Sequence, residues 1–321
     1  MNVEDNRHRQ SAMGSVVQAL PSYIRLHESG ELVGRIEAVW EILRDCTLCP
    51  WHCHVNRLEG ERGVCRVGRL PMVSSSGPHF GEERPLVGRR GSGTIFLTWC
   101  NLRCVFCQNY DISHLGEGEE VAVEELGEMM VSLWRQDCHN INFVTPTHQV
   151  AQILAALPYA VEKGVDVPLV YNCGGYEEVA TLRLLEGIFD IYMPDFKYGD
   201  SETAQRYSGA PRYVETAKAA LSEMHRQVGT LQLDERGIAV RGLLIRHLVL
   251  PGGLAGTSQV MGFIARELSP DTYINIMDQY RPCFKAADYP PLNRRITPEE
   301  FNEAVAIARE EGLQRLDGIT V

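Results

Sequence analysis

Residues 94–109 read TIFLTWCNLRCVFCQN, and this stretch decides the fold. Its first five residues are apolar or β-branched, which is typical of a short, buried strand. Cys100, Cys104 and Cys107 follow, so that three cysteines fall within eight residues. The sequence therefore predicts a loop that presents three sulfurs directly after a strand.

These three cysteines predict an iron–sulfur site with one ligand missing. A cubic 4Fe-4S cluster normally takes four cysteine thiolates, so a loop that offers three leaves one iron open to a small molecule. A structural zinc site is the alternative, but a closed zinc site needs four ligands. The spacing therefore favours a reactive cluster.

From about residue 93 onward, apolar or β-branched runs alternate with helical patterns, which is the signature of βα units on a parallel sheet. Six strands are predicted, at residues 94–98, 140–145, 168–172, 188–193, 243–250 and 273–277. Six units predict an α/β fold, a partial (β/α)6 TIM-like barrel, with function at the carboxyl ends of the strands. The cysteine loop lies at such an end.

Residues 1–88 have a different character. A helix is expected around residues 34–44, followed by a Gly- and Arg-rich stretch with four cysteines. We therefore expect an N-terminal helical and Cys-rich extension at 1–88, a barrel core at 89–290, and a C-terminal helix and tail at 291–321.

The cysteines of the extension form a complete set of four: Cys46, Cys49, Cys53 and Cys65. Four thiolates suit either zinc or a second iron–sulfur cluster, and His52 or His54 could replace one of them. Reduced cysteines that bind no metal are the alternative. The spacing alone leaves these readings open.

Four further motifs accompany the three cysteines: GSGTIF at 91–96, CQNY at 107–110, YMPDFK at 192–197 and RHLVLPG at 246–252. Together they resemble radical S-adenosylmethionine (SAM) proteins related to pyruvate formate-lyase activating enzyme, in particular a branch with an N-terminal Cys-rich segment. The resemblance implies an enzyme in which SAM chelates the open iron. An electron then cleaves SAM to methionine and a 5′-deoxyadenosyl radical, which abstracts hydrogen.

Three functions remain open under this resemblance. The radical activates a glycine of a partner protein, or it modifies a peptide or a small metabolite. The third reading is a non-catalytic iron–sulfur protein that transfers electrons. The first two imply an electron donor such as a flavodoxin or a ferredoxin.

The resemblance also implies SAM contacts near the first two strands. The backbone near Phe106 would meet the adenine, as the position before the third cysteine does in relatives. Many relatives carry a Gly-Gly-Glu motif after the second strand, whereas this chain reads TPTH at 145–148. We expect Thr145, Thr147 or His148 to contact SAM in its place.

Polar residues at the later strands complete the expected SAM site. Asn172, Asp195 and Lys197 match a SAM-carboxylate and monovalent-cation site, although Asn172 stands where relatives carry Asp. An ion pair between Asp195 and Lys197 is the alternative. Arg246 and His247 lie in the fifth strand, whose alternation directs one of them into the barrel. That residue contacts SAM or, if it is Arg246, forms a salt bridge to a neighbour such as Asp195.

The composition limits the partners. A net charge of −11 disfavours a broad nucleic-acid-binding surface, which needs clustered Lys and Arg. No apolar run reaches the eighteen or so residues of a membrane span, and the first residues lack the apolar core of a signal peptide. We expect a cytoplasmic protein.

Overall fold

The computed structural model describes residues 20–319, and its centre is a nine-stranded sheet. The strands are β1 (Met72–His79), β2 (Ser92–Leu97), β3 (Glu119–Glu120), β4 (Ile141–Val144), β5 (Leu169–Cys173), β6 (Ile191–Pro194), β7 (Gln232–Leu233), β8 (Ala239–Leu248) and β9 (Tyr273–Met277). The helices are α1 (Ser22–Glu28), α2 (Glu31–Glu41), α3 (Arg84–Val87), α4 (Val123–Arg135), α5 (Val150–Glu162), α6 (Val179–Leu184), α7 (Ser201–Ser208), α8 (Tyr213–Val228), α9 (Thr257–Phe263) and α10 (Pro298–Glu310).

Six strands pair in parallel in the order β2-β4-β5-β6-β8-β9, and each corresponds to a strand predicted from the sequence. The other edge of β2 pairs antiparallel with β1. This mostly parallel sheet confirms the predicted α/β fold and matches a partial TIM-like barrel. The six carboxyl ends therefore lie at one edge, where the cysteine loop begins.

Apolar and polar side chains both line the barrel interior. A small cluster of buried apolar side chains lies there, and it consists of Leu86, Val170, Ile191, Met193, Leu231, Ala239 and Leu244. Two positions beyond Val170 and Leu244, on the same faces, lie Asn172 and Arg246. Polar side chains therefore reach the interior at the carboxyl ends of these two strands.

Strand β1 was not predicted. Its sequence, MVSSSGPH, is rich in Ser, Gly and Pro, which are weak signals for a strand. It pairs with β2 along Val73–His79 and with β3 only at Met72 and Val73. Residues of the expected extension therefore contribute a strand to the sheet, and the domain boundary at residue 88 stays a prediction. The helix expected around residues 34–44 is α2, which continues as a 3₁₀ turn at Ile42–Arg44.

Candidate active site

The cysteine triad, Cys100, Cys104 and Cys107, follows β2 at the carboxyl edge of the sheet. Trp99, directly before it, has a φ of +63°, and its N–H donates to the Ile112 carbonyl oxygen at 2.8 Å. A left-handed backbone is rare for an aromatic residue and persists only where the surrounding structure fixes it. The entry into the triad is therefore tightly constrained.

Each sulfur of the triad has a hydrogen-bonding neighbour at 3.0–3.3 Å: Leu102 N for Cys100, Ser208 Oγ for Cys104, and Ser113 Oγ for Cys107. Burial raises the pKa of Cys100 to about 12 and that of Cys104 to about 11. A bound cation is needed to stabilise the thiolates at neutral pH. Three soft sulfur donors with these hydrogen bonds fit three irons of a cubane cluster and leave the fourth iron without a protein thiolate.

A charged group lies beside the triad. The Asp195 carboxylate accepts a hydrogen bond from Arg246 Nε at 2.7 Å and pairs with Lys197 Nζ. Arg246 Nη2 also donates to Asn172 Oδ1 at 2.5 Å. Burial acts to raise the pKa of Asp195, but the charges of Arg246 and Lys197 outweigh it and lower that pKa. The charge of Lys197 in turn lowers the pKa of Cys104 against the effect of burial, which ties this group to the triad.

Both ion pairs that the sequence analysis named as alternatives are therefore present. Asp195 Oδ1 faces Arg246, and Asp195 Oδ2 faces Lys197. With both oxygens engaged by cationic side chains, this arrangement disfavours the expected monovalent-cation site. Lys197 near the triad, and Arg246 joined to it through Asp195, instead suit a carboxylate ligand.

The three residues of the turn after β4 that are expected to contact SAM differ in their exposure. Thr145 is partly exposed and has a φ of +62°, and its N–H donates to the Asn172 carbonyl oxygen at 2.8 Å. Thr147 is buried and donates from Oγ1 to Glu177 Oε1 at 2.8 Å. His148 is buried, with Nε2 at 2.9 Å from the Thr98 carbonyl oxygen, and burial lowers its pKa to about 3. Thr145 is thus the accessible member of the set.

Of the neighbours in β8, Arg246 faces the barrel interior and His247 faces the opposite side. His247 Nδ1 lies 2.7 Å from the Phe196 carbonyl oxygen, and His247 Nε2 lies 3.0 Å from Thr257 Oγ1. Burial lowers the pKa of this histidine to about 4. His247 therefore faces away from the barrel interior, where the SAM pocket is expected, and both of its nitrogens already have protein partners.

Phe106 is buried in the triad loop. Its ring packs edge-on against Tyr280 at 5.8 Å between centroids, and the Tyr280 hydroxyl donates to the Leu292 carbonyl oxygen at 2.6 Å. The side chain of Phe106 therefore anchors the loop. An adenine contact through the backbone there stays a prediction.

Sequence reasoning missed several polar residues of the interior. Arg246 Nη1 lies 3.6 Å from Glu82 Oε2, and Asn275 Nδ2 donates to Glu83 Oε1 at 2.9 Å. Within residues 20–319, Glu83 Oε2 and both amide atoms of Asn142 are buried without a hydrogen-bond partner. Unsatisfied buried atoms of this kind are rare and suit a bound molecule or water. Asn142 could have been identified from the sequence, because it is a polar residue within an apolar strand. No sequence pattern indicates that Glu82 and Glu83 lie in the barrel interior.

The four cysteines of the extension also converge. Cys46, Cys49, Cys53 and Cys65 line one small cavity together with Arg57 and His148, and we call it the four-cysteine cavity. His52 and His54 do not line it. His52 Nε2 pairs with Glu178 at 2.7 Å, and His54 Nδ1 pairs with Asp45 at 2.9 Å.

An open parallel barrel with three cysteines directly after its first parallel strand is the architecture of a radical SAM protein. Residues 94–231 match the family model for the Radical SAM superfamily. The uncharacterized protein MJ0674 of Methanocaldococcus jannaschii is 35% identical over 289 residues, which are 87% of this chain and 78% of that protein. The uncharacterized protein MJ0808 of the same organism is 26% identical over 299 residues, or 84% and 79% of the two chains. The chain belongs to the Radical SAM superfamily.

Two solved structures are similar at low identity. Native anSMEcpe with bound AdoMet has a TM-score of 0.46 and 10% identity, over 66% of this chain and 57% of that one. TYW1 with a lysine-pyruvate adduct has a TM-score of 0.40 and 12% identity, over 68% and 73% of the two chains. The chain thus spans less than two thirds of the first of them.

The superfamily uses a 4Fe-4S cluster and SAM, and these are the cofactors of this chain. In the part of the chain that the structure describes, no helix is long and apolar enough to cross a membrane.

Proposed function

We propose that this enzyme cleaves SAM reductively to methionine and a 5′-deoxyadenosyl radical, which abstracts hydrogen from a substrate held over the polar barrel interior. The observation that carries the proposal is the placement of Lys197 near the cysteine triad, with Arg246 joined to it through the Asp195 carboxylate. Lys197 and Leu102 of the triad loop both lie close to Gly174. A cluster with an open iron supplies the reducing electron when it is bound.

The residues of the chain then have separate tasks. Cys100, Cys104 and Cys107 hold the cluster. Lys197 and Arg246 attract the SAM carboxylate, and Asp195 holds both cations in place by accepting a hydrogen bond from each. Thr145 lies beside Asn172 and offers a hydroxyl at the edge of this pocket.

The sequence motifs support a finer proposal, in which the chain resembles the pyruvate formate-lyase activating branch and acts on a glycine of a partner protein. A flavodoxin or ferredoxin would then supply the electron. The unsatisfied Glu83 and Asn142 atoms favour a second candidate, a small polar substrate that enters the barrel. The two differ in whether a second protein accelerates turnover.

The test is an anaerobic assay. The full-length protein is reconstituted with iron and sulfide, mixed with SAM and a strong reductant, and 5′-deoxyadenosine is quantified by mass spectrometry. We expect product from the parent protein and from Cys283→Ala, because Cys283 lies outside the triad, and none from Cys104→Ala. Equal product from a folded, cluster-free Cys104→Ala variant would overturn the proposal.

A further inference from the structure

The four-cysteine cavity has the donors of a metal site. Cys46, Cys49 and Cys65 are buried, and Cys53 is partly exposed. His52 and His54 on either side of Cys53 have φ values of +41° and +53°, so the backbone is held in an unfavourable region to present this sulfur. The four sulfurs therefore share one cavity, although Cys65 comes from a segment separate from the one that carries the other three cysteines.

A buried positive charge lies in the same cavity. Arg57 is 1% exposed, and Nε and Nη2 donate to the Gly68 carbonyl oxygen at 3.3 and 3.1 Å. Its Nη1 points to Cys46 Sγ at 3.9 Å. A buried cation is costly unless a negative group compensates it. Neutral thiols do not compensate Arg57, whereas thiolates bound to a metal do.

His148 also lines the cavity, but as an acceptor. The residue is 1% exposed, and among the described residues its Nδ1 has no hydrogen-bond partner. Since the Thr98 carbonyl oxygen can only accept, the 2.9 Å bond places the hydrogen on Nε2. Gln149 supports this tautomer, because its amide hydrogens point to the carbonyl oxygens of Met72 and Thr98. Nδ1 therefore cannot donate a hydrogen bond to a sulfur, and Arg57 is the residue that compensates negative charge in the cavity.

The surroundings of the cavity favour a cluster over a single ion. Four thiolates can hold either one zinc ion or a cubane cluster in which each thiolate binds a different iron. The triad takes an iron–sulfur cluster, and its loop contacts the segment that carries the four cysteines, because Trp51 Nε1 donates to the Asn101 carbonyl oxygen at 2.6 Å. The iron and sulfide that fill the triad therefore meet four more thiolates in its immediate surroundings.

We propose that Cys46, Cys49, Cys53 and Cys65 hold a second iron–sulfur cluster, with Arg57 as its counter-charge. All four cluster irons have a protein thiolate, so this centre has no open position for SAM. Its chemistry is electron storage or structural support rather than substrate binding.

The second centre contacts the loop that carries the triad. Trp51 donates from Nε1 to the Asn101 carbonyl oxygen at 2.6 Å, and Arg103 donates to the Val64 carbonyl oxygen. Arg66, directly after Cys65, lies 4.9 Å from the centre of the Trp99 ring. Each contact joins a neighbour of one cysteine set to a neighbour of the other. The second cluster would therefore lie against the loop that carries the triad, while these contacts hold the two segments together.

The test removes the triad and leaves the cavity intact. The full-length variant Cys100→Ala/Cys104→Ala/Cys107→Ala is reconstituted anaerobically, and iron, sulfide and zinc are measured together with Mössbauer spectra. We expect about four iron and about four sulfide per chain, against about eight of each in the parent. Cys283→Ala is the matched control and should keep the parent values. No SAM is needed, so this result is independent of the proposed SAM cleavage.

Iron-free protein, or zinc in place of iron, would overturn the second cluster. The variant Cys46→Ala/Cys65→Ala should lose half of the iron of the parent, and full retention would contradict the assignment even if the triad variant fails to fold.

Discussion

Ser208 donates a hydrogen bond from Oγ to Cys104 Sγ at 3.0 Å, although the two residues are 104 positions apart in the chain. The Tyr198 hydroxyl lies 2.6 Å from Ser208 Oγ and completes a buried chain of donors that ends on the sulfur. Hydrogen bonds to the sulfurs of a cluster stabilise its more negative, reduced state and so raise its reduction potential. Ser208, the last residue of α7, should therefore raise the reduction potential of the cluster.

We predict that Ser208→Ala lowers the reduction potential of the triad cluster, because the sulfur loses its donor. The variant also leaves the buried Tyr198 hydroxyl without a partner, at a cost of about 1–3 kcal/mol in the free energy of unfolding. The potential is measured by a redox titration followed by electron paramagnetic resonance in the Cys46→Ala/Cys65→Ala background. Tyr198→Phe is the control, since it keeps the Ser208 hydroxyl. Equal potentials for Ser208→Ala and its parent would contradict the prediction.

Arg246→Met should destabilise the protein and weaken SAM binding. The substitution leaves the Asp195 carboxylate with Lys197 as its remaining cation and removes the bond to Asn172. Because Lys197 still compensates the carboxylate, we expect a loss smaller than the about 3–5 kcal/mol typical of a buried charge that is left without any partner. Urea unfolding of the metal-free protein gives this loss, and equilibrium binding to the reconstituted protein gives the SAM affinity.

The pH dependence provides a second measurement on the same pair. The pKa of Asp195 is lowered in the folded protein. The contribution of its carboxylate to the free energy of unfolding is therefore fully present above the ordinary pKa of 3.8, and it is lost as the pH falls from 3.8 through the lowered pKa. Arg246→Met should reduce this acid-induced loss. A variant with the parent's acid sensitivity and stability would show that Arg246 does not hold Asp195.

Glu177 should make the protein less stable at higher pH. Burial raises the pKa of its carboxyl from 4.5 to about 7, although Thr147 and Tyr171 donate hydrogen bonds to it. Between these two pH values the folded protein retains a proton that the unfolded chain has lost. The free energy of unfolding therefore falls as the pH rises from about 4.5 to about 7, by an amount on the order of 3 kcal/mol, and this contribution is constant above pH 7.

The variant Glu177→Gln removes this titration and presents one acceptor oxygen and one donor group, as the protonated carboxyl does, so that one hydroxyl donates to the amide and the other accepts from it. It should match the parent near pH 4.5 and exceed it in stability at pH 8, as measured by urea unfolding of the metal-free protein in a thiol reductant. The remaining slope comes from other groups such as Asp190, whose pKa burial raises to about 6. An identical pH profile for variant and parent would exclude a buried, protonated Glu177.

The sequence predicted features that depend on local pattern. The six parallel strands were found because each is a short apolar run, and the triad was found because its spacing is compact. Alternation showed that one of Arg246 and His247 faces inward, but only the contacts with Asp195 and Phe196 decide which.

Features that depend on distant contacts were not predictable in the same way. Strand β1 has apolar residues only at its start, Met72 and Val73, and is stabilised by its pairing with β2. Glu82 and Glu83 lie in the barrel interior because they follow β1 directly in the chain. His148 lines the four-cysteine cavity although it is about a hundred residues from Cys46 in the sequence. No pattern near these residues indicates the partners that they meet.

Gly63→Ala should lower the iron content of the four-cysteine cavity without affecting the triad. A methyl group at this position would lie 2.6 Å from Cys53 Sγ and 2.8 Å from Cys53 Cβ, which is closer than non-bonded atoms approach. Cys53 must therefore move, and Val64 N, which donates to Cys53 Sγ at 3.4 Å, moves with it. Gly68→Ala is the matched control in the same segment, because its nearest new contact is Arg62 Nε at 3.8 Å. In the triad-free background, we expect Gly63→Ala to bind less iron than Gly68→Ala at equal helix content by circular dichroism, and equal iron in the two variants would show that Cys53 is not a ligand.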